Sequence, residues 1–269
     1  MILEIKNLNK KYENFELKDI SFTLNNGSIM GFIGANGAGK STTIKAIMNL
    51  INKDSGIITF DGKPLTPSLK NDIGVVFDEC YYFGDLNILD IEKIQHLIYK
   101  NWDSTKFFEF INLFELPKKQ AFNTFSKGMK MKLNIAIALS HNPKLLILDE
   151  ATTGLDPIVR NQILDIFGDF VDGTNNSILM SSHIVSDLER LCDSITYIDK
   201  GHLLFTSNKE ELLSNYECIK CSEKNIEQYK KYKYHKVRND YYFLVPSNTY
   251  KQGRPATIED IILITGGVL

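Results

Sequence analysis

The sequence predicts an α/β fold, and three observations carry that prediction. The apolar run Ser28-Ile29-Met30-Gly31-Phe32-Ile33 passes through Gly34-Ala35-Asn36-Gly37-Ala38-Gly39-Lys40-Ser41-Thr42 into a stretch with apolar residues at helical spacing, Ile44, Ile47, Met48 and Ile51. Two further runs, Leu145–Leu148 and Ile178–Met180, are apolar without alternation and end in polar groups, Asp149-Glu150 and Ser181-Ser182-His183. That is the pattern of strands buried on both faces of a parallel sheet. Between these strands, residues 88–116 switch to helical periodicity, which predicts an inserted helical block.

The glycine stretch is the most informative part of the chain. Strand, glycine loop and helix follow in order, and the loop fits G-x-x-x-x-G-K-[ST]. Small residues let the backbone curl so that several N–H groups point inward and form a nest for anionic oxygens. The following helix adds its positive N-terminal end. Lys40 can reach the β- and γ-phosphates of a nucleotide, and the Ser41 hydroxyl can meet Mg²⁺. The expected class is therefore a P-loop nucleoside triphosphatase core.

Composition narrows the class further. A chain of 269 residues holds a full core, and its net charge of −2 gives no global pointer to nucleic acid, so no nucleic-acid partner is expected. No apolar run approaches the ~18–20 residues that span a bilayer, and Met1–Lys6 alternates like a strand rather than a signal peptide. Four cysteines, Cys80, Cys192, Cys218 and Cys221, are few for the length and suit a reducing compartment. Cys218 and Cys221 have C-x-x-C spacing, but no second pair follows, and the spacing is read as chance.

Taken in order, residues 2–6 and 16–24 read as strands, joined by the polar loop Lys10-Lys11-Tyr12-Glu13-Asn14. Tyr12 is either a half-buried loop tyrosine or a stacking face for a base. Asp61-Gly62 is a hairpin signal after Ile57–Phe60. Ile73–Phe77 reads as a buried strand ending at Asp78-Glu79, two carboxylates that suit a metal or solvent equally. Cys80–Leu86 is an aromatic loop with the character of a contact surface. Ser126 is placed to cap a helix running to about Ser140, either a plain capped helix or a second anion-binding end.

At the end of the next strand, Asp149 and Glu150 point to opposite faces and so divide the work. Asp149 suits the Mg²⁺ side, and Glu150 is free to polarise an attacking water. Pro157 opens a helix after Gly154-Leu155-Asp156. His183 lies at a strand's C-terminal edge, where ligands bind in such sheets. Residues 194–198 and 203–206 flank Asp199-Lys200-Gly201 as a hairpin. The main domain is expected over residues 1–210, its helical subdomain over about 80–140, and a C-terminal α+β accessory region over 211–269. In that region the lysine- and tyrosine-rich residues 229–236 and the strand 241–245 read as hairpin arms in preference to a nucleic-acid surface, and Ile258–Ile262 as a closing helix.

Together these motifs resemble the ATP-binding subunit of ABC transporters over residues 1 to about 206, and more loosely to the end. The resemblance implies a P-loop NTPase core with an antiparallel β subdomain, the inserted α-helical subdomain and the C-terminal appendage. It implies that Gly34, Ala35, Asn36, Gly37, Ala38, Gly39, Lys40, Ser41 and Thr42 hold ATP, with Tyr12 on the adenine. Ser126 and Gly128 match the serine and second glycine of the family's LSGGQ signature, which here reads Phe-Ser-Lys-Gly-Met. Asp149, Ser41 and Asp78 fall on the Mg²⁺ positions, Asp78 where the family usually has glutamine. Glu150 falls on the catalytic base, His183 on the switch histidine and Gly154–Asp156 on the D-loop.

The resemblance further implies partners: a transmembrane permease subunit and a second ATP-binding subunit, identical or related, at the cytoplasmic face of the cell membrane. The departures in the signature and at Asp78, and the ending Arg254–Asp260, are similar to those of bacterial exporters of peptides and antimicrobial compounds. The competing reading is a soluble ABC-type ATPase uncoupled from transport.

Overall fold

The structure is a computed structural model that describes residues 1–77, 82, 84–250 and 252–266. Fourteen strands are described: β1 Leu3–Lys11, β2 Glu16–Leu24, β3 Ile29–Ile33, β4 Ser55–Phe60, β5 Lys63–Pro64, β6 Ile73–Val76, β7 Leu145–Asp149, β8 Ser177–Ser181, β9 Ser194–Asp199, β10 His202–Asn208, β11 Tyr216–Ser222, β12 Tyr234–Val237, β13 Asp240–Pro246 and β14 Arg254–Pro255. Eight α-helices accompany them: α1 Lys40–Ile47, α2 Ile88–Ile98, α3 Ser104–Leu113, α4 Lys127–Ser140, α5 Pro157–Val171, α6 Val185–Leu191, α7 Lys209–Ser214 and α8 Ile258–Gly266.

Ten strands share one sheet in the order β5-β4-β1-β2-β10-β9-β3-β8-β7-β6. The β9-β3-β8-β7-β6 half is parallel, whereas β4, β1 and β2 pair antiparallel. The two halves meet through β10, which is antiparallel to β9 and parallel to β2. This order matters for the site. Parallel strands put their C-terminal ends on one edge, so the ends of β3, β8 and β7 lie side by side.

Alternation along β7 builds two cores. Leu145 and Ile147 face a core shared with Ile44 of α1 and with Ile5, Leu8 and Phe60 of the antiparallel half. Leu146 and Leu148 face the other side, with Leu133 and Ala136 of α4 and Ile163 and Phe167 of α5. The inserted helices join this second core through Ile88, Ile91, Phe107 and Ile111. Their starts are capped as the sequence demands: Asn87 and Asp90 form a reciprocal capping box on α2, and Asp103 accepts from Lys106 N at 2.9 Å on α3. Tyr82, in the loop read as a contact surface, instead packs edge-on to Phe122 and accepts from Gln95 Nε2 at 3.0 Å. Asp78, Glu79, Cys80, Tyr81 and Phe83 lie outside the described residues.

Several boundaries differ from the sequence reading. β1 extends to Lys11, because Lys10 and Lys11 pair with Leu17 and Glu16 across the hairpin. The loop is therefore shorter and starts at Tyr12. The lysine-rich arm contributes strand only at β12, and residues 223–228 form a 3₁₀ turn over the sheet. A strand the sequence pattern hid, β11, forms the middle of the second sheet, β12-β13-β11-β14.

That sheet is not free-standing. Cys218, Leu244, Ile258, Ile261 and Ile264 join the core that contains Leu188 and Tyr197. Ile219, Cys221, Tyr229 and Phe243 pack in a separate cluster on the other face. Cys218 and Cys221 thus sit on opposite faces of β11, as an odd spacing along a strand requires. Burial pushes the Cys218 thiol up to about 11 and raises Cys221 as well, so both are structural thiols with no shared ligand.

The hairpin β9–β10 approaches β2 too closely for a side chain at its turn. Gly201 has φ +79°, its N–H donates to Ala38 O at 2.9 Å, and its carbonyl accepts from Lys18 N at 2.9 Å. A Cβ there would run into the Glu16 carbonyl. Gly201→Ala should therefore lower stability by about 2–4 kcal/mol, measured by urea unfolding.

A second expectation concerns acid. Burial pushes the Asp260 carboxyl up, but the bonds from Arg254 and from Thr257 N–H and Oγ1–H outweigh it and hold it below the usual 3.8. A carboxyl lowered on folding stabilises above its unfolded value, and that stability is lost as pH falls through the folded value. Asp260→Asn should be less stable than the parent at pH 7, and the gap should close below about pH 4 in urea unfolding at the two pH values.

Candidate nucleotide site

The loop between β3 and α1 is shaped from behind. Every residue of β3 is buried, and the loop leaves its end against the β9–β10 hairpin. A Cβ on Gly34 would run into the Ile198 carbonyl, so only glycine lets the loop sit this low. Ala38 N donates to Ala35 O at 3.0 Å, which curls the loop, and Thr43 Oγ1 donates to Gly39 O at 2.9 Å. Gly39 is the N-cap of α1 and offers no side-chain bond to its first turn. The helix start has no acidic residue either, so its orphan N–H groups face outward with the positive end of the helix.

Lys40 is only 6% exposed. Its Nζ donates to Gly34 O at 2.7 Å and Ala35 O at 3.3 Å, and it lies 3.6 Å from Glu150 Oε1. Glu150 stands just past the end of β7 with φ +56°, a left-handed backbone uncommon for a residue with a side chain. Its N–H is held by Ser181 O at 3.2 Å, which turns the chain at the sheet edge. Glu150 Oε2 accepts from Thr153 Oγ1 at 3.0 Å and pairs with His183 Nδ1 at 2.6 Å. The other oxygen, Oε1, is buried and has no hydrogen-bond partner among the described residues. A buried carboxylate oxygen without a donor is costly, and a ligand or water at this point would supply one.

A cleft of about 500 Å³ opens here, lined by Ala35, Asn36, Gly37, Gly39, Lys40, Ser41, Thr42 and Glu150, with Asn14 and Phe15 at its side. Asp149, the last residue of β7, is 6% exposed, and its Oδ1 accepts from Ser181 Oγ at 2.6 Å. The structure thus gathers the glycine loop, Lys40, Asp149, Glu150 and His183 at one edge of the sheet. Tyr12 is 44% exposed, its ring lies under Lys10 Nζ at 5.4 Å, and it is not among the lining residues. Phe15, three residues on, is the aromatic that lies against the loop: a Cβ on Gly39 would come 3.0 Å from its Cζ. The sequence reading passed over Phe15. The signal was its place just before β2 in the same loop as Tyr12.

Ser126 and Gly128 do not line the cleft. Ser126 caps α4, its Oγ accepting from Met129 N at 3.2 Å. Gly128 lies beside the Gly154–Asp156 turn, since a Cβ there would sit 3.7 Å from Leu155 Cδ2. Asp156 caps α5 by accepting from Ile158 N at 3.1 Å and Val159 N at 3.0 Å, with Pro157 at the first helical position.

The residues present fit a nucleoside triphosphate: a backbone nest, a helix end, a buried cation and a carboxylate with one oxygen left over. Fold and site together define a P-loop ATPase. Comparison with known proteins makes the class specific. The family model described as ABC transporter matches residues 17–153. The chain is 37% identical over 223 residues to the linearmycin resistance ATP-binding protein LnrL of Bacillus subtilis (strain 168), covering 79% of this chain and 71% of that protein. It is 35% identical over 223 residues to the lantibiotic transport ATP-binding protein SrtF of Streptococcus pyogenes, covering 80% of this chain and 96% of that protein. A solved structure described as an ATP binding subunit of an ABC transporter superposes with TM-score 0.72 and 26% identity, over 79% of this chain and 92% of that one. The chain belongs to the ABC transporter family, as an ATP-binding subunit with the ATPase fold.

Proposed function

We propose that this subunit hydrolyses Mg²⁺-ATP with Glu150 as the base and uses the reaction to drive export through separate membrane subunits. The observation that carries the catalytic part is the Glu150 carboxylate. One oxygen is fixed by His183 and Thr153, and the other is buried, 3.6 Å from Lys40 Nζ, and without a hydrogen-bond partner among the described residues. In this reading Lys40 exchanges the Gly34 and Ala35 carbonyls for phosphate oxygens, and the backbone of residues 34–42 cradles them. Glu150 Oε1 orients the attacking water and accepts its proton, while His183 holds Oε2 and its exposed ring faces the γ-phosphate position.

Ser41 and Asp149 would hold Mg²⁺, with Asp78 the third candidate. No group of three His, Cys, Asp or Glu side chains able to hold a metal occurs among the described residues. Phosphate oxygens and waters must therefore complete the shell, the usual habit of Mg²⁺ at nucleotide sites. Bound Mg²⁺ supplies charge neutralisation on the transferred phosphoryl group.

Tyr12 would close over the adenine from the rim, with Phe15 behind the loop. Ser126 and Gly128, away from the cleft of their own chain, would complete the site of a second ATP-binding subunit. Residues 1–210 are read as the ATPase unit and 211–269 as an accessory region. No described helix is long and apolar enough to cross a membrane. The family to which the chain belongs supports a transmembrane permease subunit as partner and a place on the membrane's cytoplasmic face. The relatives named for linearmycin resistance and lantibiotic transport support amphipathic or peptide antimicrobials as cargo.

Two substitutions test the site. Glu150→Gln should retain ATP binding and lose about 10²–10⁴-fold in turnover, measured by phosphate release; near-normal turnover rules out the base. Lys40→Ala should lose nucleotide affinity in equilibrium binding, and undiminished affinity would remove the loop from the site.

A further inference from the structure

The Glu150–His183 pair joins two segments that leave the sheet edge in different directions, and a single buried carboxylate ties those segments together. Asp187 is 1% exposed. Its Oδ2 accepts from Thr152 Oγ1 at 2.7 Å, and its Oδ1 accepts from Arg160 Nε at 2.7 Å and pairs with Arg160 Nη2. Arg160 Nη2 also donates to Ser186 Oγ at 2.7 Å. Thr152, fully buried, lies two residues after Glu150, and Asp187 lies four residues after His183. Arg160 stands in the first turn of α5, directly after the Gly154–Asp156 turn.

We infer that Asp187 is the positioning residue of the catalytic edge: through Thr152 and Arg160 it sets the alignment of Glu150 with His183 and the placement of the Gly154–Asp156 turn. The inference rests on the catalytic reading of Glu150 and His183 given above. Nothing else described joins β7's exit, α5 and α6 through one side chain. Glu150 is turned by its own backbone, at φ +56°, and its carboxylate is placed by two donors, Thr153 and His183. Both donors inherit their position from segments that Asp187 anchors. A buried carboxylate that collects a hydroxyl and a guanidinium is rigid, because without it the buried Thr152 hydroxyl and the partly buried Arg160 Nε would lose their acceptor. Asp187 touches neither the cleft nor the reacting atoms, so its effect is on geometry. A misplacement of about 1 Å at a reacting group costs on the order of 10²-fold in rate.

The experiment uses the full chain and two variants, Asp187→Asn and Thr152→Val, with Glu150→Gln as reference. Asp187→Asn keeps the shape and removes the charge; Thr152→Val removes one donor from the other end and keeps the fold if the first variant does not. Turnover and KM for Mg²⁺-ATP, equilibrium ATP binding, thermal unfolding and the His183 ring NMR signals, assigned with His183→Gln, are measured for each. The expected result is turnover lower by about 10- to 100-fold for Asp187→Asn and less for Thr152→Val, with KM and ATP affinity within about threefold and the His183 signals displaced. Unchanged turnover in both variants overturns the inference. So does a loss of turnover with His183 signals in place, because a general loss of stability would produce it. If instead Glu150→Gln hydrolyses ATP normally, the catalytic reading fails, and that outcome is distinct from a failure at Asp187.

Discussion

The opposition of the Lys40 ammonium and the Glu150 carboxylate, 3.6 Å apart and almost out of water, is the contact on which the rest of this molecule depends. Neither charge is stable alone in such a place. Lys40 is held by two carbonyls of its own loop, and Glu150 by Thr153 and His183. Among the described residues the arrangement leaves one carboxylate oxygen without a hydrogen-bond donor and a lysine whose hydrogen-bond acceptors are neutral carbonyls. Both shortages face the same cleft. A phosphate group and a water would correct them together, as the proposed function requires.

The sheet exists in the form that makes this contact possible. Lys40 follows β3 and Glu150 follows β7, two strands separated in space by β8 and in sequence by more than a hundred residues. Because all three run parallel, their ends share an edge, and β8 and the residues after it bring Ser181 to Asp149 and His183 to Glu150. Ser181 then serves both neighbours: its hydroxyl donates to Asp149 Oδ1 and its carbonyl accepts from Glu150 N. From the far side, the β9–β10 hairpin supports the loop through Ile198 and Gly201. Residues that do not line the cleft therefore help to shape its edge.

How much of this was legible in the sequence depended on range. The central strands could be read because strands buried on both faces are unbroken apolar runs, and the loop because its residues are adjacent and its spacing is specific. Asp149 and Glu150 read as neighbours on one strand, but β7 ends at Asp149 and Glu150 stands past it with φ +56°, so a turn rather than strand alternation sets its direction. Strand order could not be read, since nothing local says that β8 lies between β3 and β7. β11 was hidden because its partly polar YECIKCS run does not alternate cleanly. Phe15 was missed because its one signal, a place just before β2 in the loop of Tyr12, does not tell which of the two aromatics lies against Gly39. The Arg160–Asp187 pair spans 27 residues and two helices, so nothing local in the sequence joins its two ends.

The short helix α6 shows how one element connects the catalytic edge to the C-terminal region. Successive residues of a helix point about 100° apart, so three neighbours can serve three directions. Asp187 turns toward Thr152 and Arg160, Leu188 enters the core that includes Tyr197, Ile258 and Ile261, and the Glu189 carboxylate accepts from Ile258 N at 3.3 Å at the start of α8. The second sheet contributes Cys218 and Leu244 to that same core. Rotation of α6 about its axis would thus disturb the Asp187 contacts, the core and the seat of α8 at once. Close-packed interiors yield by discrete rearrangement rather than gradual deformation. The C-terminal region and the segment that follows His183 therefore meet through α6, by a shared core and by the Glu189–Ile258 bond.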